Sequence, residues 1–224
     1  MSHSYLSREA AIDAVNNIMG FADDMTRTYA KHGIDLGGDV GRQNIILSPA
    51  QEHFFADAIR QAVGLCRNDG RTGEPDIIIT ALDDKELECK VVCQGKSGGW
   101  MLQADRTSLA TGRTLDFLYL MFDRSYDNVG VFLFSDLGYD DFKVASPGSR
   151  GKSRMHKSSA FQKCVPLIGG FSDRSEKFIA QYTKALEEAT TSTQRSYAKQ
   201  KIEMWKKKGP QIAISLESID DIRK

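Results

Sequence analysis

Cysteine and histidine are scarce in this chain of 224 residues, with four of each. Cys66, Cys89, Cys93 and Cys164 form no disulfide framework and mostly stand among apolar neighbours, the setting of reduced, buried thiols. Cys89 and Cys93 would share one face of a strand, yet no CxxC pair or neighbouring histidine pair accompanies them, which argues against zinc. His3, His32, His53 and His156 lack metal-ligand spacing and HExxH context, and no GxSxG elbow occurs. No nucleophile-based enzyme emerges from these residues.

Long apolar runs are also missing, as is the pattern of a signal peptide, so a cytoplasmic protein with no membrane partner is expected. Charge of one sign is absent overall, because 30 Lys and Arg balance 30 Asp and Glu. A nucleic-acid binder is often basic, but local asymmetry matters more than the sum. Hydrophobic residues make up 41% and charged residues 27%, the composition of an ordinary globular chain with nothing disordered about it. The reading is a single domain over 1–224, with a helical part at 1–66, a catalytic sheet and basic loop at 75–170, and a helical tail at 175–224 that ends in a possible edge strand.

What is present is a short pair of segments, Pro75-Asp76 and Glu88-Cys89-Lys90, set in apolar surroundings. Side chains alternate along a strand, so Glu88 and Lys90 project one way while Leu87, Cys89 and Val91 project the other, toward a core. The stretches Ile77 to Leu82 and Glu86 to Cys93 read as a hairpin around Asp83-Asp84-Lys85. With an odd loop of three or five residues, Asp76 shares the face of Glu88 and Lys90; with a two-residue turn it lands on the other face. The odd loop is expected. Two hard carboxylates can hold Mg²⁺ against a phosphate, and a lysine beside them can orient water and offset charge developing at phosphorus. The bland alternative is an exposed hairpin with Glu88 and Lys90 on its wet face.

Pro75-Asp76, eleven residues, then Glu88-Cys89-Lys90 resembles the motif of the PD-(D/E)xK nucleases, the superfamily of most Type II restriction endonucleases. The resemblance covers about fifteen residues. It implies an α/β fold with a restriction-endonuclease-like core, a mixed central β-sheet of at least four strands flanked by helices. It also implies Asp76 and Glu88 as Mg²⁺ ligands, the Cys89 backbone carbonyl as a third, and Lys90 as the catalytic lysine. Glu52, on the helix before the Asp76 strand, is the candidate for a second metal position. A first-turn glutamate is equally explained by the helix dipole.

The implied activity is sequence-specific hydrolysis of double-stranded DNA to leave 5′-phosphate ends, by a homodimer that presents two active sites. A repair, recombination or mobile-element nuclease and a catalytically silent DNA-binding module remain the alternatives. From Lys143 to Cys164 the chain carries six basic residues and no acid, with Pro147, Gly148, Gly151 and several serines, a composition that favours a long loop. Lys143, Arg150, Lys152, Arg154 and Lys157 are the candidate DNA contacts there, joined by Gln94, Lys96 and Ser97 just downstream of Lys90. Gly95-Lys96-Ser97 and Gly151-Lys152-Ser153 end like a nucleotide-binding P-loop, but Lys90 and Ser146 stand where its leading glycine belongs, so no nucleotide cofactor is expected.

Helical spacing places one helix from Ser7, its N-cap, to about Lys31, and a second from Ser48-Pro49 to about Cys66 with Gln51 as capping-box partner. Leu102 to Gly112 reads as a helix, Leu115 to Phe122 and Val129 to Phe134 as buried strands. Ser175 to Lys208 reads as a helical stretch interrupted near Thr190 to Thr193, and Ile212 to Ile219 as a possible edge strand.

Overall fold

The computed structural model describes residues 5–36, 39–68, 75–105, 112–143 and 151–223. Helix α1, Arg8–Lys31, begins where Ser7 accepts a hydrogen bond from the Ala10 amide at 3.2 Å. It buries Ala11, Ala14, Val15 and Ile18 along one stripe. Helix α2 runs Val40–Val63 from an Asp39 cap, so it starts well before the expected Ser48-Pro49 signal, and Pro49 lies inside it. The proline forfeits one backbone bond, a loss borne because Leu47 and Ala50 beside it, and Phe55, Ala56 and Ile59 beyond, are buried. Gln51 caps nothing: its amide donates to the Leu118 carbonyl at 2.9 Å.

The strands are β1 Ile77–Ile79, β2 Lys85–Cys93, β3 Gln103–Asp105, β4 Leu115–Phe122 and β5 Asn128–Leu137, then β6 Lys152–Arg154, β7 Cys164–Ile168, β8 Gly170–Asp173, β9 Ile212–Ser215 and β10 Glu217–Ser218. A six-stranded mixed sheet runs β1-β2-β4-β5, and β7 and β10 share the far edge of β5. β2 and β4 are parallel, and the other pairs are antiparallel. Two ribbons, β3–β6 and β8–β9, stand apart from it. The α/β class with a helix-flanked mixed sheet is as expected.

Every residue of β4 is buried, which places its sheet between two apolar layers. Leu118, Leu120 and Phe122 meet Leu87, Cys89 and the helices α1 and α2. Phe117, Tyr119 and Met121 face a second core closed by Ala104, Phe142, Met155 and Phe161. The second face of the sheet is therefore covered too where β4 and β5 lie.

Two further expectations change. Gln103–Asp105 forms a strand rather than the start of a helix, because it pairs with Lys152–Arg154; residues 106–111 lie outside the described residues. That partner strand, followed by helix α3 at Lys157–Ala160 and a 3-10 turn at Phe161–Lys163, replaces much of the long loop expected at 143–164. In the tail, α4 is Arg174–Glu187 and α5 is Ser192–Lys208, and Thr191 and Gln194 form a reciprocal capping box at the expected interruption. The final apolar run splits, β9 pairing with β8 and β10 with β5; a four-residue helix α6, Ile219–Ile222, follows.

Candidate active site

The hairpin register places Asp76. Ile77 pairs with Leu87 and Ile79 with Lys85, so the connecting loop is Thr80 to Asp84, five residues, and the next step outward sets Asp76 opposite Glu88. The loop is odd, as expected, but β1 ends at Ile79: Thr80–Leu82 makes a 3-10 turn, and Asp83 and Asp84 both adopt φ 55°. Aspartate tolerates this left-handed region better than most side chains, which lets so short a loop close. Burial of Ile77 and Ile79 holds the register, since slipping by one would expel both.

Lys90 Nζ stands 2.5 Å from Glu88 Oε1 and 3.9 Å from Asp76 Oδ2. Asp76 Oδ2 accepts the Cys89 backbone N–H at 2.7 Å. A strand residue turns its N–H and C=O to the same edge, so the Cys89 carbonyl also points to the edge beside Asp76. Its thiol lies in the core beneath, where burial raises its pKa well above the usual thiol value. Glu88 is only 7% exposed, which removes the reading of an ordinary hairpin with a wet charged face.

Glu52 completes the group from α2. Burial first, then the neighbouring Asp76 and Glu88, raise its carboxyl to a pKa of about 7, with Lys90 opposing. Because α2 begins at Val40, Glu52 lies far beyond the first turn, and the helix dipole no longer accounts for it. Asp76 and Glu88 are likewise raised, chiefly by burial and against the pull of Lys90. Burial lowers the Lys90 ammonium, but Glu88 and Asp76 outweigh it and the net shift is upward.

Asp105 adds repulsion to both Asp76 and Glu88, a residue the sequence did not single out. The only available signal was the alternation Gln103-Ala104-Asp105, too short to distinguish from a helix turn. Glu52, Asp76, Glu88 and Asp105 thus set four carboxylates in the electrostatic reach of one another, with the Lys90 ammonium among them. Among the described residues no three acidic, histidine or cysteine side chains are drawn together tightly enough to hold an ion as they stand. The donor set nevertheless suits a hard divalent cation: it is all oxygen, in surplus negative charge, and partly withdrawn from water.

The expected DNA contacts divide. Ser97, Lys143, Arg154 and Lys157 border one cavity of about 650 Å³, reached directly from β2 through Val91, Val92 and Cys93. Lys96 is exposed, whereas the Gln94 amide donates to the Gly98 carbonyl at 3.2 Å and closes a glycine turn. Lys152 lies on β6 opposite Asp105, and Arg150 lies outside the described residues. One basic element went unread: α5 holds Arg195, Lys199, Lys201, Lys206, Lys207 and Lys208 against Glu203 alone. The signal was present as a charge imbalance, masked by the neighbouring Glu176, Glu187 and Glu188.

Among the described residues, no helix is long and apolar enough to cross a membrane. No family model and no curated protein matches this chain, so what the site can do has to follow from its own geometry.

Proposed function

We propose that the protein is a Mg²⁺-dependent endonuclease of the Type II restriction kind, cutting double-stranded DNA at specific sequences to leave 5′-phosphate and 3′-hydroxyl ends. One observation carries this reading: Asp76, just ahead of β1, and Glu88 on β2 both come within ion-pair distance of Lys90, in a hairpin register that core burial fixes.

Asp76 and Glu88 would hold the Mg²⁺, with the Cys89 carbonyl as a third oxygen and Glu52 at its margin. Bound there, the ion would polarise a phosphoryl oxygen and make water a stronger nucleophile at neutral pH. The chain's own residues do the rest. The Cys89 amide fixes one Asp76 oxygen and leaves the other free to face a ligand. Lys90, held by Glu88, stays protonated, so its part is to orient the attacking water and offset charge growing at phosphorus. Partial burial of the group strengthens each of these interactions by excluding bulk water. Cutting both strands requires a second site, which a second copy of this chain supplies in a cytoplasmic homodimer.

The test incubates purified protein with plasmid and phage DNA in Mg²⁺, with EDTA and Lys90→Ala as controls and a thermal melt to confirm that the variant folds. Discrete bands that vanish with EDTA and fall by ~100-fold or more in rate in the variant are expected. Intact DNA across several divalent metals overturns the reading and favours a silent binding module. Cleavage confined to branched or damaged substrates makes it a repair nuclease.

A further inference from the structure

The cavity beyond Lys90 has a composition that the cleavage site alone does not explain. Among the described residues its charged lining comprises Lys143, Arg154 and Lys157, with no carboxylate. Its remaining surface is largely apolar, and Val92, Trp100 and Met101 are parts of it. Lys157 is withdrawn from water, and burial alone lowers its pKa; none of the described ion pairs includes it, Arg154 or Lys143. Lys157 is half-buried beside an apolar surface while Lys143 and Arg154 are exposed, and the three together suit a ligand with both a negative group and a flat apolar one. The volume lies within the roughly 300–1,000 Å³ range of small-ligand pockets, far too narrow for a duplex.

Position narrows the ligand. Val92 shares the face of β2 with Glu88 and Lys90 and stands about 7 Å beyond Lys90 along the strand. A group seated here is therefore next to whatever Lys90 and the carboxylates act on.

We propose that this cavity receives a single unstacked nucleotide of the bound DNA, its base against Trp100 and Met101 and its phosphate among Lys143, Arg154 and Lys157. The inference rests on the nuclease reading in taking DNA as the ligand, and it deepens that reading by defining the substrate. The favoured DNA has a nucleotide already unpaired beside the scissile bond, or one that the enzyme extrudes, since a mismatched or single-stranded base is the easiest to unstack. Stacking on an aromatic ring tolerates any base, so the pocket adds affinity and placement rather than sequence readout.

Trp100 reports its own occupancy. The other tryptophan, Trp205, stacks on Phe178 in the α4–α5 pair and is removed by Trp205→Phe. In that background, with EDTA present, Trp100 emission is titrated with deoxynucleoside 5′-monophosphates, deoxynucleosides and inorganic phosphate. The expected result is saturable quenching by the monophosphates, at least tenfold weaker binding of phosphate or nucleoside alone, and about tenfold weaker monophosphate binding in Lys157→Gln and in Arg154→Gln, two variants at separate positions. A duplex with one unpaired nucleotide should bind more tightly than its fully paired counterpart. No quenching at millimolar nucleotide, or phosphate binding as tightly as the nucleotides, overturns the proposal. Because binding is read without metal or turnover, quenching in a protein that cuts no DNA sinks the nuclease reading alone, and cleavage without quenching sinks this inference alone.

Discussion

Glu52 shows how a residue acquires meaning from its surroundings. In the sequence it is one glutamate near a helix start; in the structure it is drawn to a pKa of about 7 by burial and by Asp76 and Glu88. Its folded pKa lies above its unfolded value of about 4.3, so the stability it contributes is complete below that value and is lost as pH rises through about 7. Glu52→Gln should therefore raise the melting temperature of the metal-free protein above pH 7 and leave it unchanged near pH 4. Thermal melts in EDTA across that range decide the matter, and a gap of equal size at both ends would assign the effect to packing. Asp76, Glu88 and Lys90 were legible because strand alternation is a local rule. Asp105 was not, because its relevance depends on β3 crossing to meet β6.

At the level of elements, the turn between β7 and β8 illustrates a constraint that spacing cannot reveal. Gly169 has φ +83°, and a Cβ there would lie 2.5 Å from the Ser215 carbonyl oxygen of the chain crossing beside it. Gly169→Ala should cost about 2–4 kcal/mol, since the left-handed backbone and the backbone clash add. Gly170→Ala meets only the Ser215 hydroxyl at 3.3 Å, a side chain that can rotate, and should cost under ~1 kcal/mol. Urea unfolding of the two variants checks the contrast, and equal losses would refute it. The same distinction separates the elements that could be read from those that could not. Helix α1 carries its cap and stripe in its own residues, whereas α2 overrides Pro49 and Gln103–Asp105 becomes a strand, each through partners remote in the chain.

Across the whole molecule, an ion pair ties α1 to β10 near the other end of the chain. Arg8 donates to Glu217 at 2.9 and 2.6 Å, and Glu217 also accepts the Gly169 amide at 2.6 Å. The Arg8 contact, foremost, holds the Glu217 carboxyl below its usual value, despite some desolvation. A depressed pKa contributes stability above the unfolded value and loses it as pH falls through the folded one. Glu217→Gln should lower stability at pH 7 by at most about 1 kcal/mol, because the pair is partly exposed and screened. The loss should disappear in acid once the native carboxylate is protonated. Melts at pH 7 and at acid pH, with Arg8→Gln as the partner control, test this; a persistent gap in acid would mean that shape rather than charge holds α1 to β10.

The amino-acid order by itself determined the carboxylate and lysine pattern, both buried strands β4 and β5, and the break between α4 and α5. Each depends on neighbours within a few residues, where periodicity and capping chemistry act. Tertiary structure decided that the second face of the sheet is covered where β4 and β5 lie, that Glu52 and Asp105 join Asp76 and Glu88, and that half of the basic tract forms a strand and a helix around a cavity. Those outcomes depend on which distant surfaces bury one another, and burial is a property of the packed chain rather than of any segment in it.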